Sequence, residues 1–322
     1  MARRLAAALA LSQAFALAAC GSAAADSVPC DRACIVGVTD SYLAALASHD
    51  PSAATLAQGV VFVENLERLT PGEGLWKTAT GGKGGFAIYV PDPVLQQAGW
   101  IGLVEREGQP ALLALRLKLD GKRITEVEHL VTEPANGDLR NLVQVRRGLL
   151  STIPEAGRKT HAELIRIGAS YYDALDDNDG TLTPFAPRCQ RIENGMITAG
   201  EGQRPPPNDQ PGAPRIASDC AAQVSSQAFV YIDRIENRRM IAADPVTGLV
   251  MGFSHFRHPM TNLPYKVTLA DGSTAERNRG NMPYDPFDMP AAHIFKVGPD
   301  GLIHEIEVVG VVAPYDSPTG WD

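Results

Sequence analysis

Residues 39–65 read TDSYLAALASHDPSAATLAQGVVFVEN, and residues 168–194 read GASYYDALDDNDGTLTPFAPRCQRIEN. At a constant offset of 129, Tyr42 falls on Tyr171, Leu46 on Leu175, Asp50 on Asp179, and Glu64-Asn65 on Glu193-Asn194. The correspondence continues in order. Gly72-Glu73-Gly74 matches Gly200-Glu201-Gly202, Asp92-Pro93-Val94 matches Asp244-Pro245-Val246, and Ile124 to Glu128 matches Ile303 to Glu307. A repeated order of this kind is the signature of duplication.

Each copy opens with an amphipathic helix. Ile35, Val38, Tyr42 and Leu46 form one stripe, and Leu164, Ile167, Tyr171 and Leu175 form the other. Thr160 and Glu163 have the spacing of a capping box. Asp50-Pro51 and Asp179-Gly180 end the helices, and β-branched runs then predict strands, with Asp120-Gly121 as a hairpin turn. The expected division is 30–132 for the first copy, 133–159 for a linker and 160–322 for the second copy. Insertions are expected near 203–219 and 259–290, where proline and polar residues oppose regular structure.

Arg3 and Arg4 precede an apolar run, Leu5 to Ala19, that is too short to span a bilayer as a helix. Residues 1–25 read as an export leader. Leu17-Ala18-Ala19-Cys20 has the form of a lipidation box, with Cys20 acylated, and Ala23-Ala24-Ala25 offers a competing cleavage site. Acylation would tether the protein to a membrane. The expected location is therefore the periplasm or outer membrane, or the medium if Cys20 is not used. The formal charge of −8 over 322 residues argues against a nucleic-acid groove. Four further cysteines in an exported chain read as disulfides. Cys189–Cys220 is favoured, while Cys30 and Cys34 stand at an uncommon spacing. No histidine has zinc-ligand spacing beside either pair.

Helix, short helix, strand and a meander of long strands describe the nuclear transport factor 2-like, or cystatin-like cone, architecture. DSYLAALASHDP followed by a strand and a glycine-rich turn resembles its SnoaL-like branch. Glu64-Asn65, Gly74-Leu75-Trp76, Gly248-Leu249-Val250 with Gly252-Phe253, Pro314-Tyr315 and Gly320-Trp321 resemble a family of secreted fungal and bacterial proteins of unknown function. The resemblance implies an α+β fold: two tandem cones, each a curved antiparallel sheet around helices, packed as an intramolecular pseudo-dimer. It also implies a pocket for a small organic molecule, used for cofactor-free acid–base chemistry or for plain binding.

The asymmetry between copies points to the second as the working one. It carries His255, His258, His293 and His304, and histidine exchanges protons near neutrality. His258, His293 or Glu193 is the expected base, and Tyr172, which falls on Leu43 in the first copy, the expected hydrogen-bond donor. Asn194, Tyr171, His255 and Arg239 are the expected ligand contacts, Arg239 through a bidentate carboxylate pairing. Each has a plainer alternative: a turn carboxylate at Glu193, a core tyrosine at Tyr171, a charged strand edge at Arg239. His255 and His258 are three apart and should face opposite sides of a strand. No metal site or cofactor is expected, and no Gly-x-Ser-x-Gly, phosphate-loop, dinucleotide or His-Glu-x-x-His motif is present. A lyase, isomerase or dehydratase is the leading expectation. The rivals are a lipid-tethered receptor for a small hydrophobic ligand and a structural envelope module.

Overall fold

A computed structural model describes residues 28–203 and 215–321. The leader, Cys20 and most of the first insertion lie outside the described residues.

Helix α1 (Arg32–Ala47) starts where the Asp31 carboxylate accepts the Cys34 amide, the side-chain cap that helix N-termini favour. It is followed by β1 (Leu56–Glu64), β2 (Glu67–Leu69), the single turn α2 (Leu75–Thr78) and β3 (Ala79–Gly81). Strands β4 (Ala87–Asp92), β5 (Gln97–Arg106), β6 (Gln109–Asp120) and β7 (Arg123–Thr132) complete the first half. The sheet runs β2-β1-β7-β6-β5-β3, with β4 also on β5, and the β1–β7 pair is parallel.

A short helix, α3 (Arg147–Leu150), follows, and then α4 (His161–Asp177). The Thr160–Glu163 capping box forms, and α4 ends at Asn178 in the left-handed conformation. Next come β8 (Phe185–Glu193), β9 (Met196–Ala199), α5 (Cys220–Ser225), β10 (Arg234–Asp244) and β11 (Leu249–His258). The hairpin β12 (Tyr265–Thr268) and β13 (Thr274–Arg277) precedes β14 (Phe287–Val297), β15 (Ile303–Gly310) and β16 (Ala313–Pro314). The second sheet runs β9-β8-β15-β14-β11-β10 with β8–β15 parallel, the strand order of the first sheet. The stretch 259–290, expected as loop, thus holds a hairpin and the start of β14. The alternation of Tyr265 to Thr268 and Thr274 to Arg277 about Asp271-Gly272 is enough to pair them.

Side chains alternate across each strand, so each sheet has two buried faces. The inner face of the first packs on α1 through Tyr42, Leu46, Trp76, Trp100 and Leu115. The inner face of the second packs on α4 through Tyr171, Tyr172, Leu175, Phe256 and Phe295. The outer faces meet in a third apolar cluster that joins Ile88, Ile101 and Leu112 to Ile241, Met251 and Ile294. At Gly99 a Cβ would stand 2.5 Å from Met251 Sδ, so glycine permits this approach. Polar ties cross the same seam. Asp92 Oδ2 accepts the Ala243 amide at 2.8 Å and lies 2.7 Å from His161 Nε2. Arg32 reaches Asp244 at 2.9 Å, and Arg239 reaches Glu128 at 2.7 Å. The segment between the halves buries Leu142, Leu149 and Ile153, and its Arg146 pairs with Glu307 at 3.0 Å. Both disulfides, Cys30–Cys34 and Cys189–Cys220, are formed.

Candidate functional site

The matching order of the two sheets allows polar side chains at corresponding positions to be compared. In the first half the Glu64 carboxylate accepts the Leu75 amide at 3.0 Å and lies 2.9 Å from His129 Nδ1. His129 Nε2 lies 2.9 Å from the Tyr42 hydroxyl. His129 and Tyr42 are buried beside Phe62 and Trp76, so this carboxylate–imidazole–phenol relay is closed on itself. Sequence reasoning missed it, because the three residues lie on α1, β1 and β7 and meet only when β7 pairs with β1.

The second half has a carboxylate at the matching position, with different partners beside it. Glu64 faces His129 in the β1–β7 register, whereas Glu193 faces Val308. The imidazole stands one strand over: His293 faces Val308 on β14, in the place Leu115 occupies in the first half. Arg191 replaces Phe62 at the 129-residue offset. It is buried and donates to the Tyr171 hydroxyl at 3.3 Å, Gln223 Oε1 at 2.6 Å and Thr198 Oγ1 at 2.9 Å. Gln223 is carried by α5, which the Cys189–Cys220 bridge fastens to β8. The Phe229 ring caps the guanidinium at 5.2 Å.

Among the described residues, no hydrogen bond reaches the Glu193 carboxylate. The residue is partly exposed at the end of β8, yet desolvation of the carboxyl raises its pKa despite the opposing charge of Arg191. Arg191 was not singled out from sequence. A charged residue at a β-strand position that is apolar in the other copy is the signal that would have found it.

The histidines are placed differently from expectation. His293 is buried between Tyr171, Tyr172, Phe256 and Phe295, with Nδ1 3.3 Å from the Tyr172 hydroxyl. Burial, reinforced by Arg191, lowers its pKa to about 3. His258 lies flat on Phe287, with ring centroids 4.2 Å apart, and burial lowers it to about 4. Both are neutral at physiological pH and poor proton acceptors there, because the interior cannot solvate an imidazolium. Burial raises Tyr172 above its ordinary range, which leaves its hydroxyl a donor.

Two expected ligand contacts are committed elsewhere. Asn194 Oδ1 accepts the Gly310 amide at 3.0 Å and its Nδ2 donates to the Gly310 carbonyl at 2.9 Å, the same pair of bonds that Asn65 makes with Val131. It is a backbone anchor, held at a φ of 48° that asparagine tolerates. Arg239 gives both Nη atoms to Glu128 of the first half, at 2.9 and 2.7 Å, so an internal carboxylate takes the bidentate pairing expected for a ligand. His255 and His258 do face opposite sides of β11. His258 lies on the inner face with Phe256, and His255 lines a cleft of about 140 Å³ at the seam with Arg239, Phe253 and Trp321. A second cleft, of about 460 Å³, lies on the outside near Arg146, Glu201 and His304. Neither is lined by Glu193 or His293.

No curated protein matches the sequence. A candidate polyketide cyclase from Silicibacter sp. is 15% identical, with a TM-score of 0.30, over 48% of this chain and 93% of its own. A candidate SnoaL-like polyketide cyclase from Jannaschia sp. is 12% identical, with a TM-score of 0.27, over 47% of this chain and 86% of its own. Residues 157–310, which run from just before α4 through β15, match the family model described as a domain of unknown function (DUF8021), and the second half of the chain is similar to that family.

Proposed function

We propose that the second half binds a small organic molecule and moves a proton on it without a cofactor, as a lyase, isomerase or dehydratase does. The observation that carries this reading is the change of partners at one duplicated position. Glu64 is sealed by the Leu75 amide and His129, whereas Glu193 is desolvated, has no hydrogen bond among the described residues and lies next to a buried Arg191. A carboxylate whose pKa is raised toward neutrality suits a general base. In this proposal Glu193 takes the proton and Arg191, fixed by Gln223 and Thr198, stabilises the negative charge that develops on the substrate. Tyr172 donates to its oxygen, and neutral His293 orients Tyr172. His258 and Phe287 form an aromatic rim with Tyr231 and Tyr284. The base is thus assigned to Glu193 rather than to a histidine.

The division into 30–132, 133–159 and 160–322, and the arrangement of the halves as a pseudo-dimer, belong to the same proposal. The first half, with its closed relay, serves as scaffold. Export is proposed as well, supported by two disulfides, which persist in oxidising compartments. A binding role without turnover is favoured by one observation: His293 is packed on several sides by aromatic rings.

The test uses 5-nitrobenzisoxazole, whose ring opens when a desolvated base removes its ring proton, and solvent deuterium exchange into a panel of small ketones. Glu193→Gln should lower either rate at least about a hundredfold. His258→Ala should change it less than about tenfold. Full activity in Glu193→Gln would remove the base assignment, and ligand binding with no proton transfer in the wild type would favour the receptor.

A further inference from the structure

The seam cleft lies across the second sheet from Glu193, on its outer face. It is lined by Phe253 and His255 of β11, by Leu66 of the first half and by Trp321. His255 is 2% exposed. Its Nε2 stands 3.2 Å from Asp288 Oδ2 without hydrogen-bond alignment, and its Nδ1 has no partner among the described residues. Leaving a buried polar atom unpaired costs about 1–3 kcal/mol, so an unpaired ring nitrogen on a residue that lines a cleft marks a place that a bound group completes.

Charge and size narrow that group. The Arg239 guanidinium is occupied by Glu128, and Arg116 also bonds Glu128 at 3.0 Å. The Trp321 ring covers both guanidiniums, at 4.8 Å from Arg116 and 5.8 Å from Arg239. The Arg116 and Arg239 guanidiniums are both paired with carboxylates, and the Glu128 carboxylate beside the cleft would repel an anion. A volume of about 140 Å³ is close to that of a buried cavity that admits one benzene ring. Burial and the nearby Arg257 keep His255 below its ordinary pKa, so a ring nitrogen is available to accept a proton donor.

We propose that this cleft binds a neutral single-ring phenol, its ring between Phe253, Leu66 and Trp321 and its hydroxyl donating to the His255 imidazole. The site is separate from the one proposed around Glu193.

The full-length protein is titrated with phenol, toluene and benzoate, followed by Trp321 fluorescence and ligand-observed NMR. Phenol should bind at least about fivefold more tightly than toluene, the worth of one hydrogen bond, and benzoate should not bind. His255→Leu should reduce phenol to the level of toluene. Leu66→Trp should abolish both, with melting curves showing that each variant is folded. Glu193→Gln should leave phenol binding unchanged while losing proton transfer, which separates the two sites. Equal binding of phenol and toluene, or no phenol binding by the wild type, would overturn the proposal whether or not the variants fold. Phenol binding lost in Glu193→Gln but retained in His255→Leu and Leu66→Trp would move the ligand to the other site and overturn it too.

Discussion

Glu128 is one of the points at which the two halves are joined by charge, and its removal tests their docking directly. Its carboxylate accepts Arg116 Nε at 3.0 Å from its own sheet and both Arg239 Nη atoms, at 2.9 and 2.7 Å, from the other. The Glu128 side chain is 7% exposed and that of Arg239 is 36% exposed. Glu128→Gln keeps the shape and removes the charge. Breaking a buried ion pair costs about 3–5 kcal/mol, and Arg239 can partly rehydrate, so the lower end, about 3 kcal/mol, is expected. At about 2 °C per kcal/mol for a chain of this size, the midpoint should fall by about 6 °C. A double-mutant cycle with Arg239→Gln in urea unfolding should return a coupling of about 1.5–3 kcal/mol, well above the ~0.5 kcal/mol within which distant sites add. The pH dependence has a definite sign. Burial would raise Glu128, but Arg239 and Arg116 outweigh it and hold the pKa below the ordinary 4.5. The bridge therefore contributes fully above pH 4.5, and its contribution is lost as pH falls through the lowered folded value. A coupling below about 0.5 kcal/mol at neutral pH would refute the charge-joined seam.

Glu307 should behave in the opposite sense. Burial raises it to about 7 from 4.5 in spite of Arg146, so it is neutral more readily in the folded chain than in the unfolded one. Stability should fall as pH rises from 4.5 to about 7, by up to ~3 kcal/mol, and Glu307→Gln should flatten that slope in urea titrations at several pH values. The two disulfides differ in the loop they close, 31 residues for Cys189–Cys220 and 4 for Cys30–Cys34. Chain-entropy arguments give about 4 and about 2 kcal/mol, so Cys189→Ala/Cys220→Ala should lower the urea midpoint about twice as far as Cys30→Ala/Cys34→Ala. Equal losses would contradict that account. The rate of carbon deprotonation should rise with pH through the raised pKa of Glu193 and should show no limb at the values of His258 or His293.

Much of the architecture is local information and could be read directly. The stripes Ile35–Leu46 and Leu164–Leu175 became α1 and α4, the Thr160–Glu163 box formed, and His255 and His258 share one strand, Leu249–His258. Helix stripes, caps and strand alternation depend on neighbours a few residues apart, so the chain states them in order. The repeated order of Tyr42, Glu64 and Glu128 with Tyr171, Glu193 and Glu307 likewise belongs to the sequence, and the two sheets share one strand order.

The surroundings of each polar side chain were decided in three dimensions. His293 and His258 look like neutral-pH bases on paper, yet their pKa values fall because aromatic rings from α4, β11 and β14 replace water around them. Arg239 looks like a ligand clamp, and its ligand is Glu128, 111 residues away. Arg191 lies in the same quoted stretch as Glu193 and drew no notice, because its partners Tyr171, Thr198 and Gln223 come from three other elements. Sequence alone determined the repeated order of residues, much of the helix and strand pattern, and the list of ionisable residues. Tertiary structure decided which of them are desolvated and which are paired, because pKa and pairing depend on distances between residues far apart in the chain.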